Sequence, residues 1–373
     1  MKKASNKASV GNIARLAGVS TASASVALKN KPGVSPATRK RILSIAKKLG
    51  YAPDAQMAGW MARVRESKSN DVLPIAWLNT AWEQNAYQLY RFQSPYLQGA
   101  QERAAELGYR VEEVWCREPG MTMKRLTKIL YQRGIEGVIV THPARHFRID
   151  WDHLASVALG TSLLAPKLHR VTGDFCFNLQ LALKTLKRLG HQRIGICLGQ
   201  EVDSYSHYTI HATAAAFYSS SDRSDRIPPL FHAHFAITRK DADQGVQRRS
   251  AELGRWLKRY KPNVIVGHDN RLEDWVKAAG YRVPEDVGIV HLAVDDDVLD
   301  WAGIHSLRHR TGATAVDQLV SLMRNHEFGV PETPLNILIR GAWQNGRTLK
   351  VLSKAKAWKQ GMEEKLQSQR PSL

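Results

Sequence analysis

The sequence predicts a two-part protein, an all-α helix-turn-helix head followed by a larger α/β body with parallel sheets. Three observations carry this prediction. Positive charge is concentrated near the amino terminus, three short helix patterns with start and stop signals occupy that same segment, and strand and helix patterns alternate through the remainder. The chain has 373 residues, more than one ordinary domain, and 43% of them are hydrophobic, enough for a substantial core.

The charge comes first because it bounds the partners. The formal net charge is +20. Residues 1–69 hold fourteen Lys or Arg against two acids, Asp54 and Glu66, so a surplus of twelve sits in the first fifth of the chain. A basic head on a less basic body suits a polyanionic partner such as nucleic acid. No apolar run is long enough to span a bilayer, and the basic start has no apolar stretch behind it, so neither a membrane span nor a signal peptide is expected. The three cysteines, Cys116, Cys176 and Cys197, have no metal-type spacing and read as reduced thiols of a cytoplasmic protein.

In the head, Val10, Ile13, Ala14 and Ala17 fall on one helical face. Gly18 stops that helix and Val19 anchors the turn. Ser20 is an N-cap for a second helix over 20–28, whose Ala24, Ala27 and Leu28 can face inward. Ser35-Pro36 opens a third helix with Ile42, Leu43, Ile45, Ala46 and Leu49 as its apolar face. Helix, tight glycine turn, helix is the pattern whose second helix enters the major groove of DNA.

In the body, strands are expected at 72–78, 110–115, 137–140, 193–199, 264–267 and 287–292. Helices are expected at 96–107, 123–133, 179–189, 253–260 and 274–279. Repeated strand–helix units of this kind build parallel sheets covered on both faces.

Several spaced motifs resemble the lactose-repressor (LacI/GalR) family. In the head these are A-G-V-S at 17–20, V-S-P-x-T-R at 34–39 and G-Y-x-P at 50–53. In the body they are G-H-Q-R-I at 190–194, Y-R-V-P-E-D-V-G-I-V at 281–290 and W-x-x-G-R-T at 343–348, with Asp174 near the start of the second half. The resemblance implies a transcriptional regulator, with a helix-turn-helix head at 1–53 and a hinge helix and linker at 54–71. An effector-binding and dimerisation domain of periplasmic-binding-protein type follows at 72–348, and a basic tail at 349–373. It implies an N-lobe of 72–162 plus 292–325 and a C-lobe of 163–291 plus 326–348. By the same resemblance Thr21, Ala22 and Val26 read bases, while Ser20, Ser23 and Ser25 contact phosphate or support the helix. Arg39 and Lys40 would hold phosphates. Trp60 falls where the family wedges an apolar side chain into the minor groove; packing against protein is the other reading.

The expected partners are a double-stranded operator, a small-molecule effector and a second copy of the chain in a homodimer, with a tetramer as the larger alternative; no cofactor is called for. Ligands of open α/β folds sit at the carboxyl ends of strands. That rule selects Asn79, Trp82, Thr141, His142, Ser204, His207, His268, Asp269 and His291 for a sugar or related metabolite. Two departures from the family stand out. No Arg occurs between Gly199 and Asp222, and the family's G-[FY]-D-D reads His291-Leu292-Ala293-Val294, moving its carboxylate to Asp295, Asp296 or Asp297. Histidines at 142/146, 207/211 and 305/309 have helical zinc spacing but no compelling third ligand, so metal is not expected. The alternative function is a DNA-binding head fused to an enzymatic α/β domain; a sequence-blind nucleoid protein ranks third.

Overall fold

A computed structural model describes residues 10–28, 33–49, 72–89, 93–141, 144–232, 239–294 and 297–350. The predicted hinge helix with Trp60, the linker, His142, Asp295, Asp296 and the tail from 351 onward lie outside the described residues. The chain divides into two compact units, Met1–Asn70 and Asp71–Leu373.

The first unit contains α1 (Val10–Ala17), α2 (Thr21–Leu28) and α3 (Pro36–Lys48). Their shared core is Ile13, Ala17, Ala27, Ile42 and Ala46, with Val19, Leu28, Val34, Ile45 and Leu49 packed against it. Three of these five core residues are alanines, which lets short helices approach closely. Gly18 takes φ +62°, and the Val19 N–H reaches back to the Ala14 carbonyl at 3.0 Å. That left-handed position is the reason for a glycine between α1 and α2. Ser35 caps α3 by accepting from the Thr38 N–H at 3.3 Å, with Pro36 in the first turn. Leu43 departs from expectation. Its position on the helix turns it away from the core, and it is exposed, as is Leu16.

The second unit holds two six-stranded sheets. The first is ordered β11-β5-β4-β3-β1-β2, from β1 (Leu73–Asn79), β2 (Tyr109–Trp115), β3 (Gly137–Val140), β4 (Ala155–Leu159), β5 (His169–Gly173) and β11 (Asn336–Ile339). All its pairings are parallel. Strand alternation splits its core into two layers. Ile75, Trp77, Ile139 and Val157 face α5 (Ser94–Glu106) and α12 (Arg308–Asn325), while Ala76, Leu78, Val138 and Val140 face α6 (Met123–Gln132). A short helix, α4 (Ala86–Leu89), follows β1.

The second sheet is ordered β12-β10-β9-β8-β6-β7, from β6 (Ile194–Gly199), β7 (Leu230–His232), β8 (Val264–Gly267), β9 (Gly288–Val294), β10 (Gly303–His305) and β12 (Ala342–Gln344). Only β12 runs antiparallel, against β10. Its helices are α7 (Phe175–Arg188), α8 (Gln200–Tyr205), α9 (Thr209–Ser219), α10 (Arg239–Tyr260) and α11 (Leu272–Ala278). The W-x-x-G-R-T motif closes this lobe. Arg347 makes a fork to both Glu273 oxygens at 2.7 and 2.9 Å, and the buried Thr348 hydroxyl donates to the Ile289 carbonyl and accepts from the Ala302 N–H.

The chain passes between the sheets after β5, after β10 and after β11. The lobe limits expected at 162, 292 and 325 therefore move to about Asp174, Leu307 and Arg340. Parallel pairing explains the change. β5 and β11 are hydrogen-bonded into the first sheet, and β9 lies between β8 and β10 in the second. The crossings are laced together. The Asp174 N–H donates to the Ile339 carbonyl, its carboxylate caps α7 at Phe177, and Arg340 lies 3.6 Å from it. The Gly341 N–H donates to the buried Asn178 side chain at 2.9 Å, and Arg308 donates to the Ala293 carbonyl at 3.2 Å.

Helices α5 and α12 touch backbone to backbone. A Cβ on Gly99 would lie 1.9 Å from the His309 carbonyl oxygen, and one on Gly312 would lie 1.9 Å from the Tyr96 carbonyl oxygen. Exposed pairs flank the contact, Glu102 with His309 at 2.8 Å and Arg103 with Asp317 at 2.7 Å. Gly312→Ala is expected to separate the helices and cost at least about 1–3 kcal/mol in chemical unfolding; an unchanged unfolding midpoint would refute the close contact.

Burial holds several histidines neutral. His291 is well below its ordinary value, His232 is lowered to about 4, and His191 is lowered as well. Each binds its proton more readily when unfolded, so its contribution is intact above about pH 6.5 and declines as pH falls toward the folded value. For His232, lowered to about 4, the loss is about 2 kcal/mol by about pH 5. The Glu113 and Asp269 carboxyls, pushed up by desolvation, act in the opposite sense, so the histidine effect is read by difference. His291→Leu is expected to flatten the loss of unfolding free energy on acidification; a parent–variant gap independent of pH would exclude this imidazole as its source.

Candidate functional site

The outward face of α2 is built from small side chains. Thr21 and Ala22 are exposed, Ser23, Ser25 and Val26 are half-buried, and Ala24 and Ala27 lie in the core. Ser20 Oγ accepts from the Ser23 N–H at 3.1 Å and pairs with the Ser23 hydroxyl at 2.9 Å. Ser20 is thus the N-cap that the sequence predicts, and Ser23 supports it. At the other end, Arg39 of α3 donates to the Ala27 carbonyl at 3.3 Å. Arg39 therefore steadies the last turn of α2, a task that its basic character alone did not suggest. Lys40 and Arg41 beside it are exposed cations.

In the body, a cavity of about 470 Å³ is lined by Arg145 from the first lobe and by Gln200, Asp203, Ser204, Tyr208, His211 and Phe231 from the second. That volume is within the range of small-molecule sites, about 300–1,000 Å³. Its wall is set by a sharp turn between α8 and α9. His207 and Tyr208 both take left-handed backbone, φ 53° and 61°, an arrangement that costs on the order of 1 kcal/mol or more per residue and concentrates at functional sites. Asp203, 5% exposed, stabilises the turn by accepting from the His211 N–H at 2.9 Å, and so caps α9 from outside the helix. The His211 ring stacks on Phe231, with centroids 5.0 Å apart and planes 7° from parallel, and its Nδ1 lies 3.7 Å from Asp203.

Of the strand-end residues selected from sequence, Ser204 lines this cavity. His207 lies beside it on the turn. Asn79 is buried and fully used, donating to the Gln84 carbonyl and Glu113 and accepting from the Ala81 N–H. Thr141 is buried and donates to the Leu78 carbonyl. Trp82 is 65% exposed, with the Arg117 guanidinium 3.9 Å from its ring. His268 and His291 face each other at 5.5 Å, and His291, 1% exposed, accepts from the Ala293 N–H. Asp269 accepts from the Arg271 N–H, and burial pushes its carboxyl up. These last three form the lobe interior beside the strand ends. Among the described residues no group of three or more His, Cys, Asp or Glu could hold a metal ion.

Sequence reasoning missed Arg145, Gln200, Asp203, Tyr208, His211 and Phe231. The strand-end rule reaches Gln200 and Asp203 if the whole segment after β6 is taken. His211 was visible only as half of a zinc-like pair, and Phe231 lies on a three-residue strand too short to show a period.

Residues 9–54 match the sequence model of "Bacterial regulatory proteins, lacI family", and residues 183–341 match that of a "Periplasmic binding protein-like domain". The chain belongs to the lacI family. It is a DNA-binding transcriptional regulator. This lacI-family protein is 25% identical to the HTH-type transcriptional repressor CytR of Escherichia coli (strain K12) over 299 residues, 78% of this chain and 81% of that one. Its fold is similar to a lac repressor dimer bound to operator and the anti-inducer ONPF (TM-score 0.54, 17% identity, 92% and 99% of the two chains covered). It is also similar to a complex of the transcriptional regulator CelR with cellobiose (TM-score 0.53, 18% identity, 91% and 99% covered). Among the described residues no helix is long and apolar enough to cross a membrane.

The Asp203 cap is directly testable. Asp203→Ala is expected to cost about 0.5–2 kcal/mol in chemical unfolding and Asp203→Asn less, because the amide oxygen still accepts; equal losses would assign the effect to charge.

Proposed function

We propose that this lacI-family regulator binds a two-fold symmetric operator as a homodimer and that a small effector, held in the cavity between its lobes, sets the operator affinity. The observation that carries this reading is the cavity wall. Arg145 comes from one lobe and the other lining residues from the second, so a ligand there has different contacts when the lobes close. A ligand shifts such an equilibrium only by its differential affinity for the two states. The similar lac repressor and CelR structures, bound to the anti-inducer ONPF and to cellobiose, support the same reading.

In this reading Thr21, Ala22 and Val26 touch base edges. Ser20, Ser23, Ser25 and Arg39 hold α2 in shape, and Lys40 and Arg41 meet phosphates. Trp60 wedges into the minor groove or packs on protein. The half-sites lie about one helical turn apart, as two-fold related recognition helices require. The protein works in the cytoplasm, beside the chromosome, and the body acts as receptor rather than catalyst.

Selection of the full-length chain against a pool of random duplexes is expected to enrich a palindromic sequence. Val26→Gln is expected to change the preferred base at one position per half-site and to cost roughly 1–3 kcal/mol on the parent operator. No enrichment, with or without cell metabolites, would overturn the proposal.

A further inference from the structure

We infer that the effector carries an anionic group, a phosphate ester or a carboxylate, received by Arg145 across the cleft. The inference rests on the reading of the cavity as the effector site. Arg145 is held in place by its own backbone, since its carbonyl accepts from the Leu164 N–H at 2.7 Å and the Ala165 N–H at 3.2 Å. These bonds fix its main chain on the first lobe, and the planar donor fork of a guanidinium matches carboxylate and phosphate oxygens.

The opposite wall gives an anion little to oppose it. Asp203 is the one carboxylate among the described lining side chains, and it is buried. One of its oxygens accepts from the His211 N–H, and the other faces the His211 ring. Its charge therefore serves the first turn of α9, where helix geometry favours a negative group. Gln200, Ser204 and Tyr208 add an amide and two hydroxyls, neutral groups able to donate. The stacked His211 and Phe231 rings supply a flat wall for the remainder of the ligand. Outside residues 1–69 the chain still carries a surplus of eight positive charges, a field that draws anions.

The test uses full-length protein and calorimetric titration at constant ionic strength. The probes are glucose, glucose 6-phosphate, gluconate, ribose, ribose 5-phosphate and inorganic phosphate. At least one acidic sugar is expected to bind about tenfold or more tighter than its neutral parent, with Arg145→Gln removing that margin in a protein that still melts cooperatively. The phosphate and carboxylate arms identify the source of the charge. A neutral parent that binds as tightly as its acidic derivative overturns the anionic class and leaves the effector site standing. An acidic preference that survives Arg145→Gln overturns the assignment to this residue. If no probe binds and none moves operator affinity, the anionic class is overturned; if neutral sugars and nucleosides also fail, the effector reading falls with it.

Discussion

Three chain crossings determine what the body can do. After β5, β10 and β11 the backbone passes from one sheet to the other, and the crossings meet through Asp174, Asn178, Arg308, Arg340 and Gly341. Two lobes so joined enclose a cleft whose walls come from different sheets. Arg145 faces α8 and α9 only because of this topology. A glycine at 341 is required at the same place, since a Cβ there would lie 2.4 Å from Ile304 and 2.8 Å from the His305 carbonyl oxygen.

The head obeys a different economy. Its core is small, and an eight-residue helix is marginal in water by itself. Local hydrogen bonds complete the work. Ser20 secures the first turn of α2 and Arg39 the last, and Gly18 sets the entry angle. Thr21 and Ala22 take no part in the core, so the outward face of α2 is chemically independent of the fold that presents it.

Much of this architecture was legible in the sequence because it rests on local rules. The caps at Ser20 and Ser35, the stop at Gly18 and the buried runs at 137–140 and 264–267 are written in neighbouring residues. The lobe limits were not legible. Whether β5 pairs with β4 or starts the next sheet depends on partners distant in sequence, and β7, β10 and β12 are three residues each, too short for a pattern. The cavity was half legible for a related reason. Strand ends led to Ser204 on the cavity wall, yet Asn79, Thr141 and His291 turn into the protein, and most of the lining comes from α8, the turn after it and the start of α9. Two left-handed non-glycine residues form that turn, and no propensity scale anticipates them.

The close packing of Gly99 on His309 and of Gly312 on Tyr96 has a mechanical side. Two helices of 13 and 18 residues, locked at van der Waals distance along one face of the first sheet, resist shear between them. The first lobe then behaves as a stiff lever. A small angular change at its fulcrum, the crossings, reaches its far edge as a larger linear displacement, with little absorbed by internal sliding.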